Sequence, residues 1–281
     1  WVNIDEQALV LEAPISAKED RDYLLEYKSI NLGALDRHEV LDVPVDNLSR
    51  DEAVAVVLDL IEKKKGPYHV MFLDPLKLMR IRPGRKLSFI ADQARMILPD
   101  GAGICWAARR LGQPLKERIP MIAFIMDLIR VSVKKEFTIY LLGSRFEHLE
   151  RVFVNLQKSF PGVRIIGRQG GHFDAERETL IKESIRKSSP DVIFLGMGFP
   201  VQELWMRENW QQLSRAVVIG VDGSFDVLSG KEKKAPDWAQ VRGLAWFWRT
   251  ITRPLYLDRV FLTIGFFVLT LFRSFRLKKK A

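Results

Sequence analysis

Apolar residues arrive along this chain in short, uninterrupted runs, and helical stretches separate one run from the next. The runs at 68–73, 94–98, 137–142, 163–166, 191–195 and 216–219 show no polar alternation, so each predicts a strand covered on both faces. Between them, residues 51–65 place Val54, Val57, Leu58 and Ile61 on one helical face behind Asn47 or Ser49 as N-cap. Further helices are predicted from about Gly103, over 119–133 behind Pro120, and over 147–159, 176–187 and 201–213. Segment 39–45 reads as extended, and 80–86, with Pro83 and Gly84, as a loop. Residues 1–37 carry no strong period. The alternation predicts an α/β fold: a Rossmann-like, mainly parallel sheet with helices on both faces.

In such sheets chemistry gathers at the carboxyl ends of the strands, and one stretch there stands out. Leu98-Pro99-Asp100-Gly101-Ala102-Gly103 reads as strand end, glycine turn and helix start, with Lys116-Glu117-Arg118 shortly after. Glycine lets backbone approach a ligand closely, and a helix opening there aims N–H groups at an anion. Taken alone, Asp100 reads equally well as an N-cap. Asp74-Pro75 supplies a second carboxylate at a strand end, expected near Asp100, and Gly143-Ser144 a second turn suited to phosphate.

Common nucleotide and hydrolase signatures fail. Gly196-Met197-Gly198 meets Val201 where a dinucleotide fingerprint needs its third glycine, and Gly223 to Gly230 is too long for a P-loop. No nucleophile-elbow or zincin motif occurs. The single cysteine, Cys105, excludes an internal disulfide and reads as a small core residue; four scattered histidines suggest no metal site. His172 reads as shaping its glycine loop, and Trp205 and Trp210 as packing residues.

Charge changes the picture only at the end of the chain. The first 230 residues hold 32 basic and 32 acidic side chains, whereas residues 231–281 hold 12 and 3, so the whole formal charge of +9 lies there. That segment has a helix beginning at Ala235-Pro236-Asp237-Trp238, a break at Pro254, and then 13 residues, 260–272, with nothing more polar than two threonines and a glycine. The run is shorter than the ~20 residues of a spanning helix. With Phe261, Phe266, Phe267, Phe272 and Phe275 spread around its circumference and Arg259, Arg273, Arg276 and three lysines beside it, it reads as a monotopic membrane anchor. A buried terminal helix is the other reading. Nucleic acid is not expected, because the cations adjoin an apolar helix. The chain divides accordingly into an N-terminal extension (1–37), an α/β core (38–230) and a basic helical appendage (231–281).

Four segments, taken in order, resemble the WecB/TagA/CpsF glycosyltransferase family, glycosyltransferase family 26. They are Pro99-Asp100-Gly101-Ala102-Gly103 with Glu117-Arg118; Gly170-Gly171-His172-Phe173; Gly196 to Trp205; and Gly220-Val221-Asp222-Gly223-Ser224-Phe225-Asp226 on to Lys233-Lys234-Ala235-Pro236-Asp237-Trp238. The resemblance implies an inverting, metal-independent transferase needing no cofactor, which moves an N-acetylmannosamine-like sugar from UDP to a polyprenyl-diphosphate-linked acceptor. Its setting would be cell-surface polysaccharide synthesis at the cytoplasmic face of the bacterial inner membrane. By the resemblance Asp100 is the catalytic base, while Gly101, Gly103, Arg118, Gly143, Gln202 and Glu203 hold the donor. Arg249 and Arg259 would bind the acceptor diphosphate. Self-association stays open.

The chain departs from the family pattern at several positions. Phe72 and Asp74 stand in place of a Thr-x-Asn pair, and Ile119 to Ala123 in place of a Thr-Gly-x-Asp element. Val201 replaces a frequent lysine, Asp222 a frequent glycine and Tyr256 an arginine. The family is thus represented here by a divergent member. Asp74 is the candidate to compensate for lost polar groups. Phe72, Met121 and Ala123 suggest the alternative, a non-catalytic member that binds lipid-linked sugar or a partner in an assembly complex.

Overall fold

A computed structural model describes residues 35–230 and a helix at 257–278. The chain enters through an antiparallel hairpin, β1 (Arg37–Val40) and β2 (Val43–Asp46), joined at Leu41 and Asp42. Both turn residues have positive φ, 52° and 67°, the combination that a two-residue primed turn demands. The single extended segment expected at 39–45 is therefore two strands. Helix α1 (Arg50–Lys63) follows, started by a reciprocal capping box in which Ser49 accepts from the Glu52 N–H and Glu52 accepts from the Ser49 N–H.

The six expected strands are present and form one parallel sheet. They are β3 (Tyr68–Leu73), β4 (Met96–Pro99), β5 (Ile139–Gly143), β6 (Ile165–Gln169), β7 (Val192–Gly196) and β8 (Val217–Gly220), in the order β4-β3-β8-β7-β5-β6. Between them run α2 (Pro75–Ile81), α3 (Phe89–Gln93), α4 (Ala102–Arg110), α5 (Met121–Lys135), α6 (Phe146–Ser159), α7 (Ala175–Ser188), α8 (Val201–Glu208) and, after β8, α9 (Ser224–Leu228). Helix α2 takes over the start of the expected 80–86 loop. The expected 201–213 helix stops at Glu208 and continues as a separate 3₁₀ turn, Trp210–Gln212.

Strand residues alternate between two cores, as a sheet buried on both faces requires. Val70 and Phe72 of β3 join Val54, Phe124, Leu128, Leu149 and Val152 from α1, α5 and α6. Met71 and Leu73 join Leu78, Ile81, Ile104 and Ala107 from α2 and α4 on the other side. The last described helix, α10 (Leu257–Lys278), packs against α2 and α4. It buries Thr263, Phe266, Thr270 and Ser274 and exposes Phe261, Ile264, Val268, Phe272 and Phe275. The phenylalanines thus do not ring the helix evenly: polar positions face the protein, and an apolar stripe faces out. Arg273 fastens its far end by two 2.5 Å hydrogen bonds to Asp42 in the hairpin turn.

Residues 1–34, the expected helix from Ala235 through Arg249, and the Pro254 break lie outside the described residues.

Candidate active site

Two crevices open at the carboxyl ends of the strands, where connections leaving neighbouring strands diverge. Strand β5 leads outward to β6 while β7 leads back to β8; strand β3 leads outward to β4 while β8 leads into α9.

The β3–β4 end carries the two expected carboxylates. The register sets Leu73 opposite Pro99, and the Asp100 N–H donates to the Leu73 carbonyl, which brings Asp74 and Asp100 together. Asp100 is not an N-cap, because Gly101 holds that position in α4. Its Oδ1 instead accepts from the Met121 N–H at 3.1 Å, tying it to the start of α5. Asp100 is half-buried. Burial pushes its carboxyl above the ordinary carboxylate range and Asp74 adds to this, while the Met121 N–H, Lys77 and Arg118 pull it down. Arg118, half-buried, is therefore within electrostatic reach of the candidate base. Asp74 caps α2 by accepting from the Lys77 N–H.

Gly101 and Gly103 owe their small size to a protein contact. A Cβ at Gly103 would lie 2.7 Å from the Pro75 ring, and one at Gly101 3.0 Å from it. The glycine turn thereby brings the Asp74-Pro75 step beside Asp100. Gly143 has φ 135°, and a Cβ there would meet the Gly196 backbone at 2.4 Å. The Ser144 N–H donates to the Gly196 carbonyl, and the Gly171 N–H to the Ser144 carbonyl, so three glycine segments converge at the β5–β7 crevice.

Gln202 and Glu203 are buried rather than displayed. Gln202 donates to Glu203 Oε1 and Asp222 Oδ1 at 2.9 Å each, and its carbonyl accepts from the Asp222 N–H. Gln202 holds the β8–α9 loop in place. Glu203, 3% exposed, is raised to about 7, mainly by burial. Cys105 is half-buried at the rim rather than in the core. The structure does not describe Arg249, and it describes only the helical backbone of Arg259.

Lys77 and His148 were not singled out from the sequence. Lys77 is almost fully buried, although a lysine in a short helix ordinarily faces water. Its ammonium pairs with Asp222 at 2.5 Å and donates to the Phe72 carbonyl at 2.8 Å. His148 joins Ser144 of the expected phosphate turn to Asp226 of the fourth family segment. Ser144 donates to Asp226 Oδ1 at 2.7 Å, and His148 Nδ1 lies 2.8 Å from the same oxygen. The four-residue spacing of Ser144 and His148 at a helix start was the available signal.

A family model described as the glycosyl transferase WecG/TagA/CpsF family matches residues 38–281. An N-acetylglucosaminyldiphosphoundecaprenol N-acetyl-beta-D-mannosaminyltransferase of Bacillus subtilis is 32% identical over 190 residues, which cover 68% of this chain and 73% of that protein. A protein of the same name from Staphylococcus aureus is 35% identical over 162 residues, covering 58% of this chain and 63% of its own length. The family match spans the sheet, both crevices and the basic tail, and on that extent the chain belongs to the WecG/TagA/CpsF family of glycosyl transferases.

Proposed function

We propose that the chain transfers an N-acetylmannosamine-like sugar from UDP to a polyprenyl-diphosphate-linked acceptor, with inversion and without a metal, at the cytoplasmic face of the bacterial membrane. The observation that carries this reading is the placement of Asp100. It stands at the end of β4, beside Arg118 and held by one N–H from α5. A carboxylate raised by burial suits a general base that takes the acceptor hydroxyl proton near neutral pH. The oxygen so activated attacks the anomeric carbon, and the bond to UDP breaks on the opposite face. Arg118 and the N–H groups at the start of α4 offset the charge growing on the departing diphosphate. Arg249 and Arg259 are assigned to the acceptor diphosphate. The Ser144–His148–Asp226 group and the glycines at the β5–β7 crevice are assigned to the donor side.

The named activity of the relatives in Bacillus and Staphylococcus supports the acceptor class. The outward apolar stripe of α10 supports membrane binding, since a polyprenyl substrate is reached only at a bilayer. Against the non-catalytic alternative, Phe72 is 1% exposed and packs edge-on against Phe124, 5.4 Å between ring centres, within the core. It takes no space from the site.

The test is UDP release by detergent-solubilised protein from a panel of UDP-sugars, with and without a short-chain polyprenyl-diphosphate-GlcNAc acceptor. Acceptor-dependent release should fall by about 10²–10⁴-fold in Asp100→Asn. Acceptor binding without release above that variant would select the non-catalytic alternative.

A further inference from the structure

The ammonium of Lys77 sits at the centre of the β3–β8 crevice, 4% exposed. One hydrogen bond goes back to the Phe72 carbonyl on β3 at 2.8 Å, and an ion pair of 2.5 Å goes across to Asp222 on the loop after β8. Asp222 in turn is gripped by Gln202 from α8 through a side-chain bond at 2.9 Å and a backbone bond at 3.2 Å. The grip has something to hold: Asp222 has φ 46°, a left-handed conformation that a non-glycine residue adopts only against a steric cost. Lys77 thus joins the ends of β3 and β8 through a loop that would otherwise relax.

Among the described residues, four carboxylates act on this cation. Asp222 and Glu203 face it from the β8 loop and α8, Asp74 from its own helix, and Asp100 from the end of β4; His69 on β3 also feels its charge. Among the described residues, Arg118 is a second cation acting on Asp100. The α10 positions buried towards the core, Thr263, Phe266, Thr270 and Ser274, are not titratable. A buried ion pair gains little over an apolar pair of the same volume, so stability alone does not account for a lysine here. Its location beside the candidate base does.

We propose that Lys77 is a positioning residue for the transfer step, tying the Asp222 loop to the end of β3 and supplying the positive charge behind Asp100. This rests on the function proposed above, with Asp100 as base. Removing the charge makes Asp100 harder to ionise, so the acidic limb of the rate profile moves to higher pH. A structural brace alone would lower the amount of folded protein and leave that limb where it was.

The experiment is a pH titration of aspartate carboxyl carbons by ¹³C NMR on the full chain in detergent, with Asp100→Asn assigning the Asp100 signal. Alongside it, the pH dependence of kcat is measured. In Lys77→Met the Asp100 titration and the acidic limb should both rise, by about one pH unit. Lys77→Arg, which keeps the charge, should return both towards wild type even at reduced stability. If Lys77→Met does not fold, the same shift is read in Lys77→Gln, which removes the charge while its amide N–H can still donate towards Asp222 or the Phe72 carbonyl. An Asp100 titration unmoved in a folded Lys77 variant overturns the proposal. Wild-type protein without acceptor-dependent transfer would instead overturn the function it rests on, and the NMR arm would still decide the coupling of Lys77 to Asp100.

Discussion

Two neighbouring buried side chains set opposite pH demands on this fold. His69 Nε2 and Glu203 Oε2 have no hydrogen-bond partner, and both line a cavity of about 10 Å³, close to the space of a single water. Burial drives the His69 imidazole down to about 3, so folding resists its protonation and stability is lost as pH falls below 6.5. Glu203 is raised from 4.5 to about 7, so its folded form keeps a proton that the unfolded chain releases. Stability is therefore lost as pH rises from 4.5 to 7, by an amount on the order of 3 kcal/mol. Glu203→Gln keeps the shape without the charge. Its urea midpoint should match wild type at pH 4 and exceed it at pH 8, by a stability on the order of 3 kcal/mol; equal gains at both pH values would refute the linkage. The sequence exposed part of this region. Asp74 and Asp100 were legible because each follows an apolar run and precedes a turn. Lys77 was not, since its side chain is covered by the Asp222 loop and Phe199, both remote in sequence.

Among the elements, the strands were the most legible, because a parallel strand buried on both faces is written as a solid apolar run. The hairpin was not, because its turn uses Leu41 and Asp42 at positive φ without the glycine or asparagine that usually marks such turns. Glycines near the strand ends were read as room for a ligand, and the structure shows them also to be contacts between elements. The tightest is at Gly143, where β5 meets β7 backbone to backbone. Gly143→Ala would place its Cβ 2.4 Å from the Gly196 backbone at a φ of 135°. Neither strand can yield without breaking the sheet at the crevice. The substitution should cost about 3 kcal/mol or more in denaturant unfolding. A near-neutral result would mean that the two strand ends do not meet this closely.

At the scale of the whole molecule, charge and hydropathy are arranged around α10. The sequence located the basic excess and the apolar run correctly, but not the direction in which the run faces, which depends on α2 and α4. Val260–Leu277 has a mean hydropathy of 1.7, enough by length and composition to cross a membrane. Its docking argues for a helix lying in the interface instead, because Phe266, Thr270 and Ser274 are buried on one side along its length. Phe261, Ile264, Val268, Phe272 and Phe275 recur at three- and four-residue spacing on the other side and are 53–72% exposed. Immersed in a bilayer, such side chains gain on the order of 1–2 kcal/mol each. Arginines and lysines at the helix end add about 1 kcal/mol apiece near an acidic leaflet. Replacing Phe261, Val268 and Phe275 together with serine removes three outward residues and none from the core. The variant should keep the wild-type melting temperature in detergent and lose most of its co-sedimentation with vesicles of acidic phospholipid. High salt should weaken wild-type binding without abolishing it, since screening reaches the cations and not the apolar stripe. Unchanged vesicle binding by a folded variant would remove α10 as the docking element. The proposed polyprenyl acceptor would then have to be met through another part of the chain.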